Sequence, residues 1–71
     1  MSLEMLENGK RAVVARIDGG TGARERLLKM GVVPGVPVRM LRADRGGPVL
    51  VEVLGSRVAL CQGLAAKVIV A

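Results

Sequence analysis

Between Arg24 and Leu41 the chain reads RERLLKMGVVPGVPVRML, and no other stretch restricts the possible folds so tightly. Its first half has helical spacing. Ala23, Leu27 and Met30 fall at i, i+4 and i+7 on one face, Leu28 widens that face, and Arg24, Glu25, Arg26 and Lys29 fill the rest. Thr21 offers a hydroxyl at the N-cap. Gly31 stands where a left-handed residue can end a helix without a Cβ clash. Pro34 and Gly35 then fill the centre of a type II turn, proline fixing φ at the first position and glycine accepting positive φ at the second. Val36, Val38 and Met40 follow with inward alternation, Arg39 pointing outward. The stretch is a junction from helix to strand, with no reactive group of its own.

The remainder is strand-like. RAVVARI puts Val13, Ala15 and Ile17 on one face at period two. In PVLVEVL, Val49, Val51 and Val53 share one face, and Leu50, Glu52 and Leu54 the other. ADRGG reads as a hairpin turn, and Gly55-Ser56 as a second, tighter one leading into RVALC, with Val58 and Leu60 inside. QGLAA is a short irregular or 3₁₀ connection to a last strand, KVIVA. At the amino terminus Leu3 and Leu6 share a face of one short helical turn, ended by Asn8-Gly9. Twelve valines and no aromatic residue suit pleated, half-buried surfaces. The expected fold class is mainly β: five short strands in a small, partly open barrel, with one helix after the first strand.

With 71 residues the chain is expected to form one domain, 1–71. A chain this short buries roughly 60% of its unfolded surface, so oligomerisation or docking on a larger partner would help it. The formal charge is +5, from eleven Lys/Arg against six Asp/Glu, which favours anionic partners. The cations are spread out rather than gathered into a nucleic-acid-binding arm. No signal peptide is evident, and no apolar run approaches the ~18–20 residues of a membrane span, so the default location is the cytoplasm.

Chemistry is sparse. The absence of histidine removes the Ser–His and Cys–His pairs and the commonest general base near neutral pH. Cys61 is alone, with Leu60 and Gln62 beside it and no charge to activate it, so enzyme activity is not expected. An ordinary zinc site cannot be built from one chain, and Glu4 and Glu7 are the only local carboxylate pair. DGGTGAR has glycines between a strand and a helix but lacks the lysine and following hydroxyl of a phosphate loop. Small barrels that bind single-stranded nucleic acid stack bases on aromatic side chains, and this chain offers none. Only non-specific, salt-sensitive phosphate contact is left to it. What remains is binding without reaction. Arg24, Arg26 and Lys29 on the outward helix face, with Leu50 and Leu54 on the outer strand face, are the candidate partner-binding residues. Gly31, Pro34 and Gly35 are the structural turn.

The ordered set Arg26, Leu27, Met30-Gly31, Pro34-Gly35, Gly47-Pro48-Val49, Ala59-Leu60, Ala65 or Ala66, and Ile69-Val70 resembles the FeoA family of bacterial ferrous iron transport. The opening LEMLENGKRAVVARIDGG is similar too, so the resemblance spans nearly the whole chain. Cys61-Gln62 stand where the family often has a charged residue, and no contact is carried over there. The resemblance implies an SH3-like barrel, a fold shared with the carboxy-terminal domain of iron- and manganese-dependent repressors. It implies a non-enzymatic accessory or regulatory role and a partner, the FeoB membrane permease, met at its cytosolic GTPase domain or at its membrane portion. No cofactor is implied, and the chain would be recruited to the inner face of the membrane by that partner. A homo-oligomer is compatible with the small size. The alternatives are a basic barrel binding nucleic acid non-specifically and a direct transition-metal-binding protein, the latter needing ligands shared between chains.

Overall fold

The computed structural model describes residues 1–44 and 46–71; Arg45, part of the first expected hairpin turn, lies outside the described residues. A 3₁₀ turn at Leu3–Met5 precedes β1 (Arg11–Ile17) and α1 (Thr21–Lys29). Then come β2 (Pro37–Ala43), β3 (Val49–Val53), β4 (Ser56–Leu60), α2 (Gln62–Ala65) and β5 (Val68–Val70). Every strand pairing is antiparallel, in the spatial order β4-β3-β2-β1-β5. Five short strands with a helix after the first is the architecture expected from the spacing. QGLAA differs in detail, because Gln62–Ala65 closes one α-helical turn that buries Leu64 and Ala65.

β1 holds the strip together by changing partners. Arg11 to Val13 pair with Arg39 to Pro37 of β2, whereas Val14 to Ile17 pair with Val70 to Val68 of β5. A bulge between Val14 and Arg16 eases the change. A bulge places one extra residue on its strand and shifts the alternation. The inward residues of β1 are therefore Val14 and Ile17, three apart, and the expected Val13, Ala15 and Ile17 face is corrected. Val13 is 45% exposed and Ala15 is exposed as well. Beyond β5 the outer border is covered by the amino terminus: the Val70 amide donates to the Met1 carbonyl at 2.8 Å, and Ser2 bridges Ile69.

The inner face of β3 follows period two and buries Val49, Val51 and Val53; β2 follows it over Val38 and Met40, until a bulge between Met40 and Arg42 shifts the register and sets Ala43 against the core. Leu3, Leu6, Val32, Leu60, Val68 and Val70 close over them, and no polar side chain among the described residues is buried. Each of these side chains contributes roughly 1.5–3 kcal/mol when fully buried, which is how a core without aromatics can suffice.

The helix contributes Leu27 to that core, flanked by Ala23 and Met30. Leu28 does not join them and is 61% exposed. With Leu27 pointing straight inward, a step of about 100° carries the next side chain out of the contact. The N-cap is Gly20 rather than Thr21: the Gly20 carbonyl accepts the first helical bond, from the Arg24 amide at 3.1 Å, and Thr21 is already helical. At the other end the Val32 amide donates to the Leu27 carbonyl at 2.9 Å and the Gly31 amide to Leu28 at 3.0 Å. Gly31 has φ +81°, completing a Schellman cap with Leu27 and Val32 both buried. The following turn closes with the Val36 amide on the Val33 carbonyl at 3.2 Å, Gly35 having φ +92°.

The β3–β4 turn is centred one residue earlier than the sequence indicates. Val53 pairs with Ser56, so Leu54 and Gly55 are the two loop residues, and Ser56 already belongs to β4. Both have positive φ, +52° and +80°, as a type I′ hairpin requires. Such loops favour Asn-Gly. A leucine held in the left-handed region costs about 1–2 kcal/mol, and Leu54 alone among the described non-glycine residues occupies it.

Candidate partner-binding surface

The five candidate binding residues are distributed over three hollows and one open helix face. One hollow, of about 440 Å³, lies between α1, the end of β1 and the Val32–Pro34 turn. Arg24 and Leu28 form its helical wall, Ile17, Val32, Val33 and Pro34 its apolar part, and Arg16 and Asp18 its rim. Leu28, the residue displaced from the expected helix face, supplies an apolar contact beside a cation. The Arg16 Nε donates to Asp18 Oδ1 at 2.9 Å. This bond, and then the carboxylate's charge, raise the guanidinium pKa above its usual value, although both side chains are more than half exposed. Arg26 and Lys29 are exposed on α1 outside this hollow.

Leu54 belongs to a second hollow of about 270 Å³, with Arg11, Pro37, Val38, Arg39, Glu52 and Gly55. It is 73% exposed, yet one methyl lies near Gly31, where an added Cβ would stand 3.9 Å from its Cδ1. The turn thus sits against the carboxy-terminal end of α1. Leu50 is half-buried in a third hollow of about 260 Å³ with Arg42, Asp44, Pro48, Val49 and Ala59. There Arg42 Nε approaches Asp44 Oδ2 at 3.0 Å. Arg24, Leu54 and Leu50 therefore face three different recesses.

The strand register adds an arrangement that no reading of single strands discloses. Arg11 stands opposite Arg39, Arg39 opposite Glu52, and Glu52 opposite Arg57. Directly opposite residues of antiparallel strands share a face. These four side chains therefore form one transverse row on the outer face of β1 to β4, between Leu50 and Leu54. The sequence shows Arg39 outward, but only pairing brings the others beside it. Among the described residues no three of His, Cys, Asp and Glu gather to hold a metal ion. Cys61 is exposed and free. No helix is long and apolar enough to cross a membrane. The surface offers contact, charge and shape.

A model of the FeoA domain matches residues 1–71. A Methanocaldococcus jannaschii protein provisionally named Fe(2+) transport protein A is 37% identical over 68 residues, 96% of this chain and 82% of that protein. Among solved structures, an iron uptake regulatory protein, FeoA, superposes with a TM-score of 0.95 at 36% identity, covering 99% of this chain and 93% of its own. Stenotrophomonas maltophilia FeoA, solved with zinc, is described as a prokaryotic SH3 domain protein and advanced as a ferrous iron transport activating factor. It superposes with a TM-score of 0.86 at 33% identity, covering 100% of this chain and 89% of that one. A manganese-dependent transcriptional repressor shares the fold over 35% of its length, at 23% identity and a TM-score of 0.93. The SH3-like architecture expected above is thereby established. Matched over residues 1–71 by the domain model and over 96% and 99% of its length by these relatives, the chain belongs to the FeoA family.

Proposed function

We propose that this chain, acting as one domain over residues 1–71, is a non-catalytic regulatory module of ferrous iron uptake. It works in the cytoplasm by docking on the cytosolic GTPase domain of a FeoB-type permease, which recruits it to the inner face of the membrane. The family and the names of its relatives support the iron-transport part. One observation carries the docking part. On α1 the cations Arg24, Arg26 and Lys29 are exposed and form no ion pair among the described residues, while the apolar Leu28 stands exposed between them. Such a surface suits an acidic patch with an apolar centre.

The cations would speed encounter and fix orientation more than they would add affinity. Leu28 and the neighbouring recess would supply desolvated contact, and Leu50 and Leu54 would extend it on the sheet side. A module without reactive groups changes a transporter only by binding its two states unequally. Titrating the isotope-labelled chain with the isolated GTPase domain tests the reading by backbone NMR. Shifts should cluster on α1 and the Leu54 turn, and the double charge reversal Arg24→Glu, Lys29→Glu should abolish them. Unchanged binding by that variant removes the helix from the interface; silence of the wild-type spectrum refutes docking on the GTPase domain.

A further inference from the structure

The Arg11–Arg39–Glu52–Arg57 row is locally unfavourable. Two arginines face each other across β1 and β2, and directly opposed like charges destabilise a sheet. Three cations share one carboxylate, and neither ion pair found among the described residues, Arg16–Asp18 or Arg42–Asp44, belongs to the row. Arg39 Nε is moreover buried without a hydrogen-bond partner, and no other side-chain nitrogen or oxygen among the described residues is so placed. A buried donor left without an acceptor bears its full desolvation penalty. Local rules are broken in this way chiefly where function requires it.

The excess of cations over carboxylates in the row defines the ligand. We propose that the hollow lined by Arg11, Arg39, Glu52 and Leu54 receives a carboxylate side chain from an extended acidic segment of a partner protein. An apolar neighbour of that carboxylate packs on Leu54. A guanidinium presents parallel donors that match a carboxylate in a planar fork, and with Nε closed off it is the terminal nitrogens of Arg39, together with Arg11, that face the incoming carboxylate. The recess, about 270 Å³, accommodates a side chain rather than a whole cofactor. Glu52 in the middle of the row disfavours a multiply charged phosphate, free or in nucleic acid, more strongly than a singly charged carboxylate. Leu54 and Pro37 give the site an apolar border that a free anion would not use. The site deepens the docking reading in sharing Leu54 with it, but it is defined by peptide chemistry, so the two can fail separately.

The test is a titration of the ¹⁵N-labelled full chain with a capped peptide, Gly-Glu-Glu-Leu-Glu-Glu-Gly. Its all-glutamine counterpart and inorganic phosphate serve as comparisons. The acidic peptide should shift the amides of Arg11, Arg39, Glu52 and Leu54 together with the Arg39 Nε–Hε resonance, and added salt should weaken it. Arg39→Gln should lower affinity about tenfold, the scale of one charge-assisted hydrogen bond. Arg11→Gln is a second variant with a distinguishing signature: it relieves the opposed charges, so the melting temperature should rise while affinity falls. Equal binding by Arg39→Gln, equal binding of the glutamine peptide or phosphate, or shifts confined to α1 would each overturn the proposal. Peptide binding here together with silence toward the GTPase domain would uphold this site and refute the permease docking.

Discussion

Replacing Leu54 with asparagine sets turn geometry against side-chain contact, and the structure gives the size of each. Leucine at φ +52° carries about 1–2 kcal/mol of left-handed strain, which asparagine largely avoids. Against this stands the lost contact. Leu54 is 73% exposed, so about a quarter of a side chain worth roughly 1.5–3 kcal/mol when fully buried is at stake, or about 0.5 kcal/mol. The expected balance is a stabilisation of about 1 kcal/mol, which raises the melting temperature of a domain this size by roughly 4–8 °C. Thermal unfolding followed by circular dichroism measures it, with an amide spectrum confirming the fold. The same variant should bind the acidic peptide more weakly, since the apolar border is gone. A melting temperature equal to or below that of the parent would refute the reasoning and show that the Leu54 contact at Gly31 outweighs the strain.

Two other substitutions probe the frame. Gly31→Ala has room for its methyl, the nearest atom being a Val53 methyl at 3.8 Å, so its cost is backbone alone. At φ +81° that is about 1–2 kcal/mol, read as a lower urea midpoint with an unchanged slope. Met40→Ala, at a fully buried position in the centre of the sheet, should cost about 2–5 kcal/mol. In so small a domain this leaves a large unfolded fraction, visible as collapsed amide dispersion at room temperature.

Legibility in the sequence followed the regularity of the backbone. In β3, and in β2 as far as Met40, the period of two is unbroken, and spacing alone assigns Val38, Met40, Val49, Val51 and Val53 inward; the bulge past Met40 has no such local sign. β1 has an equally apolar sequence, yet its bulge depends on where β5 arrives from the far end of the chain, and no local pattern encodes that. Leu28 looked like core because helical spacing admits a wide face, whereas the contact against the sheet admits little beyond Leu27 and its flanks. The β3–β4 turn sits one residue earlier than its sequence suggests, because leucine is an improbable occupant of a left-handed position while Gly55-Ser56 carries the familiar turn chemistry. The binding surface was less legible than the fold. Individual cations and leucines could be named, but the recesses that separate Arg24, Leu50 and Leu54, and the row that sets Arg11 against Arg39, exist only through pairing.

The covering of β5 by Met1 and Ser2 bears on how copies of this chain can meet. A ribbon with two free borders can add units indefinitely, which is the geometry of fibrils. Here one border is already occupied by the chain's own beginning, whereas β4 pairs only with β3 among the described residues. Self-association through backbone bonds would then join β4 to β4 about a twofold axis and consume the open border of both copies. Growth ends at two. Backbone pairing between such molecules would stop at a saturable monomer–dimer equilibrium rather than a polymer, with Ser56 to Leu60 as the stretch that pairs.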